Sequence, residues 1–309
     1  MSALENHVDD YLRLRRTLGY DLEETGRLLR RFAAELDTAG VAHITTRVAV
    51  RWALAVKVRA PSSVPATRYR AVRGFARYMA GIDPGTEIPP AGLVRRPRSR
   101  RPPFIYTDEQ LLALLARARA SIPQPLRAAT MHTLIGLLAS SGLRVGEALR
   151  LDRGDIDWSD GVLHIRQSKF RKSRLVPLAP SVLEVLERYA HLRDCERPAA
   201  AGESFFVSLR GTRVIHACVW KTFRALCDDA GIGAGSSVRP TIHDLRHRFA
   251  VKVLLSWYRD GIDVQPRLAW LSTYLGHRDP VSSYWYLSAA PELLAHAARL
   301  IDDTRALTR

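Results

Sequence analysis

The sequence predicts a mainly α protein with one small β-sheet or hairpin, folded as two domains on either side of a basic linker. Three observations carry this. Apolar residues recur at three-to-four spacing through most of the chain. Alternation is confined to residues 162–178. A stretch rich in proline and arginine, 93–103, interrupts both patterns. At 309 residues the chain is also longer than one hydrophobic core usually organises.

Residues 9–18, 25–39, 45–58 and 66–80 each show helical periodicity, and Gly19, Gly40 and Gly81 sit where three of these helices would stop. Four helices within residues 1–92 make a small bundle. In the fourth, Arg70, Arg73 and Arg77 recur at i, i+3 and i+7, which groups them on one face. A solvated basic face and a phosphate-facing helix both account for them. Residues 93–105 read as an extended linker carrying Arg95, Arg96, Arg98, Arg100 and Arg101 with no acid among them. A disordered charge run and a segment lying along a phosphate backbone would look alike here.

The second domain is predicted over 106–309. Thr107, Asp108, Glu109 and Gln110 form a capping box that opens a helix to Ala120. A second apolar helix over 126–140 stops at Gly142. Two β-branched runs within 162–178 flank a basic tip containing Lys169 and Lys172, as in a hairpin. Ser181 and Glu184 suggest another capping box, starting a helix to about His191. Further helices are predicted over 216–230, 243–259, 266–275 and 281–302.

Charge narrows the partner. Lys and Arg number 47 against 31 Asp and Glu, a net charge of +16. Nineteen basic and ten acidic residues precede position 106, and twenty-eight and twenty-one follow it, so both halves are cationic. Such an excess draws in polyanions, of which nucleic acid is the commonest; an anionic membrane surface fits the charge alone. No apolar run approaches the roughly 18 residues of a membrane span. The first ten residues hold no basic-then-apolar export signal, and Cys195, Cys218 and Cys227 match neither a disulfide framework nor a zinc site. The expected location is therefore a reducing cytoplasm.

Five features could carry chemistry. His243 and Arg246 are three apart on a predicted helix and share a face. His277 follows Gly276 at a helix end. Tyr286 lies nine residues further on, and Tyr284, two residues before it, points the other way on a helix. Arg144 opens a helix after the Gly142 stop, with Glu147 placed to hold its guanidinium. Lys169 is one of only five lysines among the 47 basic residues, and lysine, unlike arginine, can be tuned to give up a proton. Each feature also has a bland structural reading. The glycine-rich phosphate loop of nucleotide-driven enzymes does not occur.

In this order and spacing, the segments SGLRVGEALRL, SKFRKSRLVPL, TIHDLRHRFA and LGHRDPVSSYWYLSAAPELL resemble the tyrosine recombinase (phage integrase) family, as an integrase- or transposase-like member. The likeness covers nearly the whole chain. Trp285 and Tyr284 depart from it, crowding a position where many members carry smaller or polar residues. The resemblance implies a helical, SAM-like core-binding domain, the linker, and an α+β catalytic domain. It implies an enzyme that cleaves and rejoins double-stranded DNA through a 3′-phosphotyrosyl intermediate, with no metal and no cofactor.

By the same resemblance Tyr286 is the nucleophile, and Arg144 and Arg246 bind the phosphate through planar forks of donors. His243 is the general base, since a tyrosine hydroxyl of pKa about 10 needs help to ionise. Lys169 protonates the leaving 5′-oxygen, with Lys172 as the alternative on the same turn. His277 hydrogen-bonds the phosphate, and Glu147 orients the site from behind. Arg70, Arg73, Arg77, the linker arginines and Lys172 would contact DNA. Family members act as homo-tetramers on two DNA sites, so that assembly is expected, together with partner recombinases of the same element and a nucleoid-associated location. A DNA-binding accessory protein without catalysis and a relaxing enzyme of the type IB topoisomerase kind are the alternatives.

Overall fold

The structure, a computed structural model, describes residues 3–20, 22–57, 62–96, 102–166, 173–197 and 202–276. Arg98, Arg100, Arg101, Lys169, Lys172, His277, Tyr284, Tyr286 and the helix predicted over 281–302 lie outside the described residues. The chain divides into two compact units, 1–100 and 101–309.

The first unit is four helices: α1 (Ala3–Thr17), α2 (Glu23–Thr38), α3 (Thr46–Leu54) and α4 (Val64–Met79). Its core holds Leu12, Leu29, Phe32, Trp52, Tyr69 and Phe75, all under a tenth exposed. Phe32 meets Trp52 edge-on at 5.0 Å. Helix α3 begins where Thr45 accepts a hydrogen bond from the Val48 amide. It ends at Leu54, short of the predicted 58, with the Ala55 N–H closing the last turn on the Arg51 carbonyl. The segment after α4 folds back along it: Tyr69 Oη donates to the Pro90 carbonyl at 2.7 Å and Arg73 Nε to Pro89 at 2.9 Å. Val94 packs into this core, so the predicted linker has one end docked in the bundle.

Among the described residues, the second unit carries seven α-helices and one sheet: α5 (Asp108–Ala120), α6 (Pro125–Ser141), α7 (Val145–Leu149), α8 (Pro180–Glu196), α9 (His216–Asp229), α10 (Asp244–Arg259) and α11 (Val264–Leu275). The predicted capping box is formed, with Thr107 and Gln110 each bonded to the other's backbone N–H. Helix α8 differs from its prediction. It starts at Pro180 rather than through a Ser181 cap, with Ala179 in the cap position and no side-chain cap bond, and runs on to Glu196. Proline at the first helical position has no N–H to satisfy, which makes the serine cap unnecessary.

Three short strands, β1 (Ile156–Asp157), β2 (Val162–Ile165) and β3 (Arg174–Pro177), form an antiparallel sheet in the order β1-β2-β3. The β2–β3 pair is the predicted hairpin, in register from Val162 against Pro177 to Ile165 against Arg174. Strand β1 was not predicted: two residues are too few to display an alternation. Leu163, Ile165 and Val176 face the main core of this unit, together with Leu134, Leu138, Tyr189, Phe205 and Phe223. A second cluster joins α10 and α11 through Val251, Leu254, Leu268 and Leu271, with the linker residue Ile105 against it. Phe104 packs on the main core, so the predicted linker is docked at this end too.

Candidate active site

Three elements converge on the C-terminal end of α11. Helix α6 stops at Gly142, whose backbone is left-handed (φ 62°). A side chain there would run into the ring of Phe249 on α10, so both conformation and space demand glycine. Phe249 in turn stacks on Tyr274 of α11, ring centres 5.6 Å apart. The chain then extends through Arg144, which caps α7, and brings Glu147 back toward it.

Glu147 is the hub. Its side chain is 1% exposed, and four N–H groups surround it. Arg144 donates from its backbone N–H at 3.0 Å and from Nη1 at 2.7 Å. Arg174 on β3 donates from Nη1 at 3.2 Å and from Nη2 at 2.7 Å. Burial alone would raise the Glu147 carboxyl, but the hydrogen bond and charge of Arg174, then those of Arg144, outweigh it and hold the pKa at about 2.

These two guanidinium groups and that of Arg246 bind successive carbonyls of the α11 terminus. Arg174 Nε donates to Tyr274 at 2.8 Å, Arg246 Nη2 to Leu275 at 2.6 Å and Arg144 Nη2 to Gly276 at 2.8 Å. Arg246 also reaches the Gly142 carbonyl at 2.8 Å through Nη1. Terminal carbonyls of a helix lack intrahelical partners and carry its partial negative charge, so cations belong there. Gly276 is left-handed too (φ 66°), and a Cβ on it would sit 3.0 Å from Arg174 Nη1. Among the described residues, three guanidinium groups and one carboxylate meet at this point. Side-chain exposure falls from 25% at Arg144 to 12% at Arg174, and Arg246 is 2% exposed, so Arg144 is the cation nearest solvent.

The structure thus gathers Arg144, Glu147 and Arg246 of the predicted site. His243 caps α10 rather than lying within it and is exposed, its ring perpendicular to that of buried His247 at 4.8 Å. His243 is thus at the surface and Arg246, one helical turn on, is buried. In the first unit Arg70 and Arg77 are exposed while Arg73 is half-buried against Pro89; Arg95 and Arg96 are exposed. Sequence reasoning missed Arg174. The signal was available: two residues before inward-facing Val176 on a strand, it must point inward as well and needs an acid.

The second unit is thus a mainly helical fold with a three-stranded antiparallel sheet and a largely buried arginine cluster at a helix end. The model of the phage integrase family matches residues 105–292. A Sinorhizobium fredii (strain NBRC 101917 / NGR234) protein bearing the integrase/recombinase name y4rB is 41% identical over 98% of both chains. The tyrosine recombinase XerD of Mycobacterium tuberculosis is 29% identical, covering 92% of this chain and 91% of its own. Among solved structures, the Tn1549 transposon integrase in complex with transposon right end DNA aligns over 96% of this chain and 98% of its own, with a TM-score of 0.62 at 15% identity. The XerH site-specific recombinase bound to its difH substrate aligns over 89% and 78%, with a TM-score of 0.61 at 20% identity. These two show likeness of fold. The chain belongs to the phage integrase family.

Proposed function

We propose that the protein is a site-specific DNA recombinase, an enzyme that cleaves and rejoins DNA strands through a 3′-phosphotyrosyl intermediate. One observation supports this above the rest: a buried carboxylate and a helix terminus hold Arg144 and Arg246 on neighbouring carbonyls of α11. A phosphoryl transition state gathers negative charge on its non-bridging oxygens, and donors fixed beforehand stabilise it without reorganising.

In this reading the Tyr286 hydroxyl attacks phosphorus as His243 accepts its proton. The Tyr286 Oη–P bond forms and the bond from phosphorus to the 5′-oxygen breaks, with Lys169 delivering a proton to that oxygen. His277, directly after the anchored Gly276, hydrogen-bonds the phosphate, and Glu147 orients Arg144. Rejoining reverses these steps on a new 5′-hydroxyl, and the phosphotyrosyl ester conserves the energy of the broken bond. The residues before the linker act as the core-binding domain, with Arg70, Arg77 and the linker arginines toward the phosphate backbone. A homo-tetramer on two sites, working with recombinases of the same element, completes four strand cuts in the cytoplasm. No described helix is long and apolar enough to cross a membrane.

Sequencing the DNA covalently captured by the protein, in cells carrying its gene and the flanking DNA, tests this reading. Discrete capture sites with recombinant junctions are expected. No covalent capture would leave a binding protein, and capture everywhere without junctions would mean a relaxing enzyme; either overturns the proposal.

A further inference from the structure

Arg174 has no part in the mechanism above, yet it makes more bonds within the cluster than its surface neighbours on β3 could. Its three nitrogens all reach protein acceptors: Nη1 and Nη2 take both oxygens of Glu147, and Nε takes the Tyr274 carbonyl. Both of its Nη groups are closed on the Glu147 carboxylate, so its fork serves that acid rather than an incoming phosphate. It is well placed to fix two other parts of the site. Glu147 can hold the Arg144 guanidinium in one orientation only if its own carboxylate plane is fixed, and Arg174 grips that plane on both oxygens. Tyr274 lies in the last turn of α11, three residues before His277 in the sequence, and the Nε bond ties that turn down.

We infer that Arg174 is a positioning residue for strand cleavage, acting through Glu147 on Arg144 and through the Tyr274 carbonyl on the end of α11. The inference rests on the recombinase reading. Lysine cannot substitute, because one ammonium cannot span a carboxylate edge and a carbonyl in fixed planar geometry. A misplacement on the order of an ångström at a reacting group costs roughly 100-fold in rate. The competing role is structural, with Arg174 merely cementing the hairpin to α11. The two differ in a measurable way: a structural defect lowers the fraction of protein that reacts, whereas a positioning defect lowers the rate constant of the fraction that does.

The experiment is single-turnover cleavage by Arg174→Met, Arg174→Lys, Glu147→Gln and the Arg174→Met/Glu147→Gln double variant. Each is held in excess over a nicked DNA carrying a site recovered by covalent capture, and binding is measured separately by gel shift. Arg174→Met should bind within about 3-fold of the unaltered protein and form the covalent adduct about 100-fold more slowly, its amplitude preserved. Arg174→Lys, which keeps the charge and serves if the methionine variant does not fold, should remain at least about 10-fold slow. The double variant should be no slower than about the worse single variant, because residues acting through one another are not additive. Normal rate constants with reduced amplitude, or rate defects that multiply in the double variant, would overturn the inference while leaving the recombinase reading intact. Absence of any adduct from the unaltered protein would instead overturn that reading, and this inference with it.

Discussion

Glu147→Gln removes the negative charge from the middle of the cluster while keeping the shape of the side chain. The carboxylate receives four N–H donors from Arg144 and Arg174 and is all but excluded from water. Its pKa of about 2, against 4.5 for an ordinary glutamate, corresponds to about 3 kcal/mol of folding stability at about 1.36 kcal/mol per pKa unit. Breaking a buried ion pair by removing one partner costs about 3–5 kcal/mol, which agrees in size. Because the folded pKa lies below the unfolded one, this stabilisation is complete above about pH 4.5 and is lost as the pH falls through about 2. Calorimetry at pH 7 should place the transition of the second unit roughly 6–12 °C lower in the glutamine variant. The difference should shrink to about half by pH 3, because the unfolded chain's Glu147 takes up its proton there while the folded one still holds its charge. A variant within about 1 kcal/mol of the unaltered protein at pH 7, or a deficit independent of acid, would refute this account of the cluster.

Three further outcomes are expected. Gly276→Ala forces a left-handed backbone on alanine, at about 1–2 kcal/mol, and pushes a methyl against Arg174 and Arg144; it should slow adduct formation far more than DNA binding, and equal loss of both would count against it. Burial pushes the Cys227 thiol up to about 11, so iodoacetamide at pH 8 should modify exposed Cys195 and Cys218 well before Cys227, as peptide mapping will show. Lys169→Ala should be slow on ordinary DNA yet near normal on a 5′-bridging phosphorothioate, whose thiolate leaves with little need of a proton. Arg144→Ala should stay defective on both substrates, and rescue of Lys172→Ala instead would move the proton to Lys172.

The helices were legible because a period of 3.6 shows in any segment of ten or more residues, and caps such as Thr107 and stops such as Gly142 mark their ends. Boundaries went astray where the terminating signal was weak, as at Leu54, or where proline replaced a side-chain cap, as at Pro180. Of the candidate site, Arg144 with Glu147 could be read because the two lie three apart, next to a glycine stop. The grip of Arg246 on Gly142 and Leu275 could not, since its partners are backbone carbonyls 104 and 29 residues away. Arg174 lay between these cases. Its strand register points it inward, but nothing local names Glu147, 27 residues earlier, as the acid that receives it.

The claim at the centre is that Tyr286 becomes covalently joined to DNA. Adduct formed on a nicked substrate, digested with nuclease and protease, can be read directly by tandem mass spectrometry, with Tyr284→Phe and Tyr286→Phe proteins in parallel. A 3′-nucleotide carried on the peptide at Tyr286, present in the Tyr284→Phe protein and absent from Tyr286→Phe, is the predicted result. A nucleotide on Tyr284, or adduct persisting in Tyr286→Phe, would contradict it.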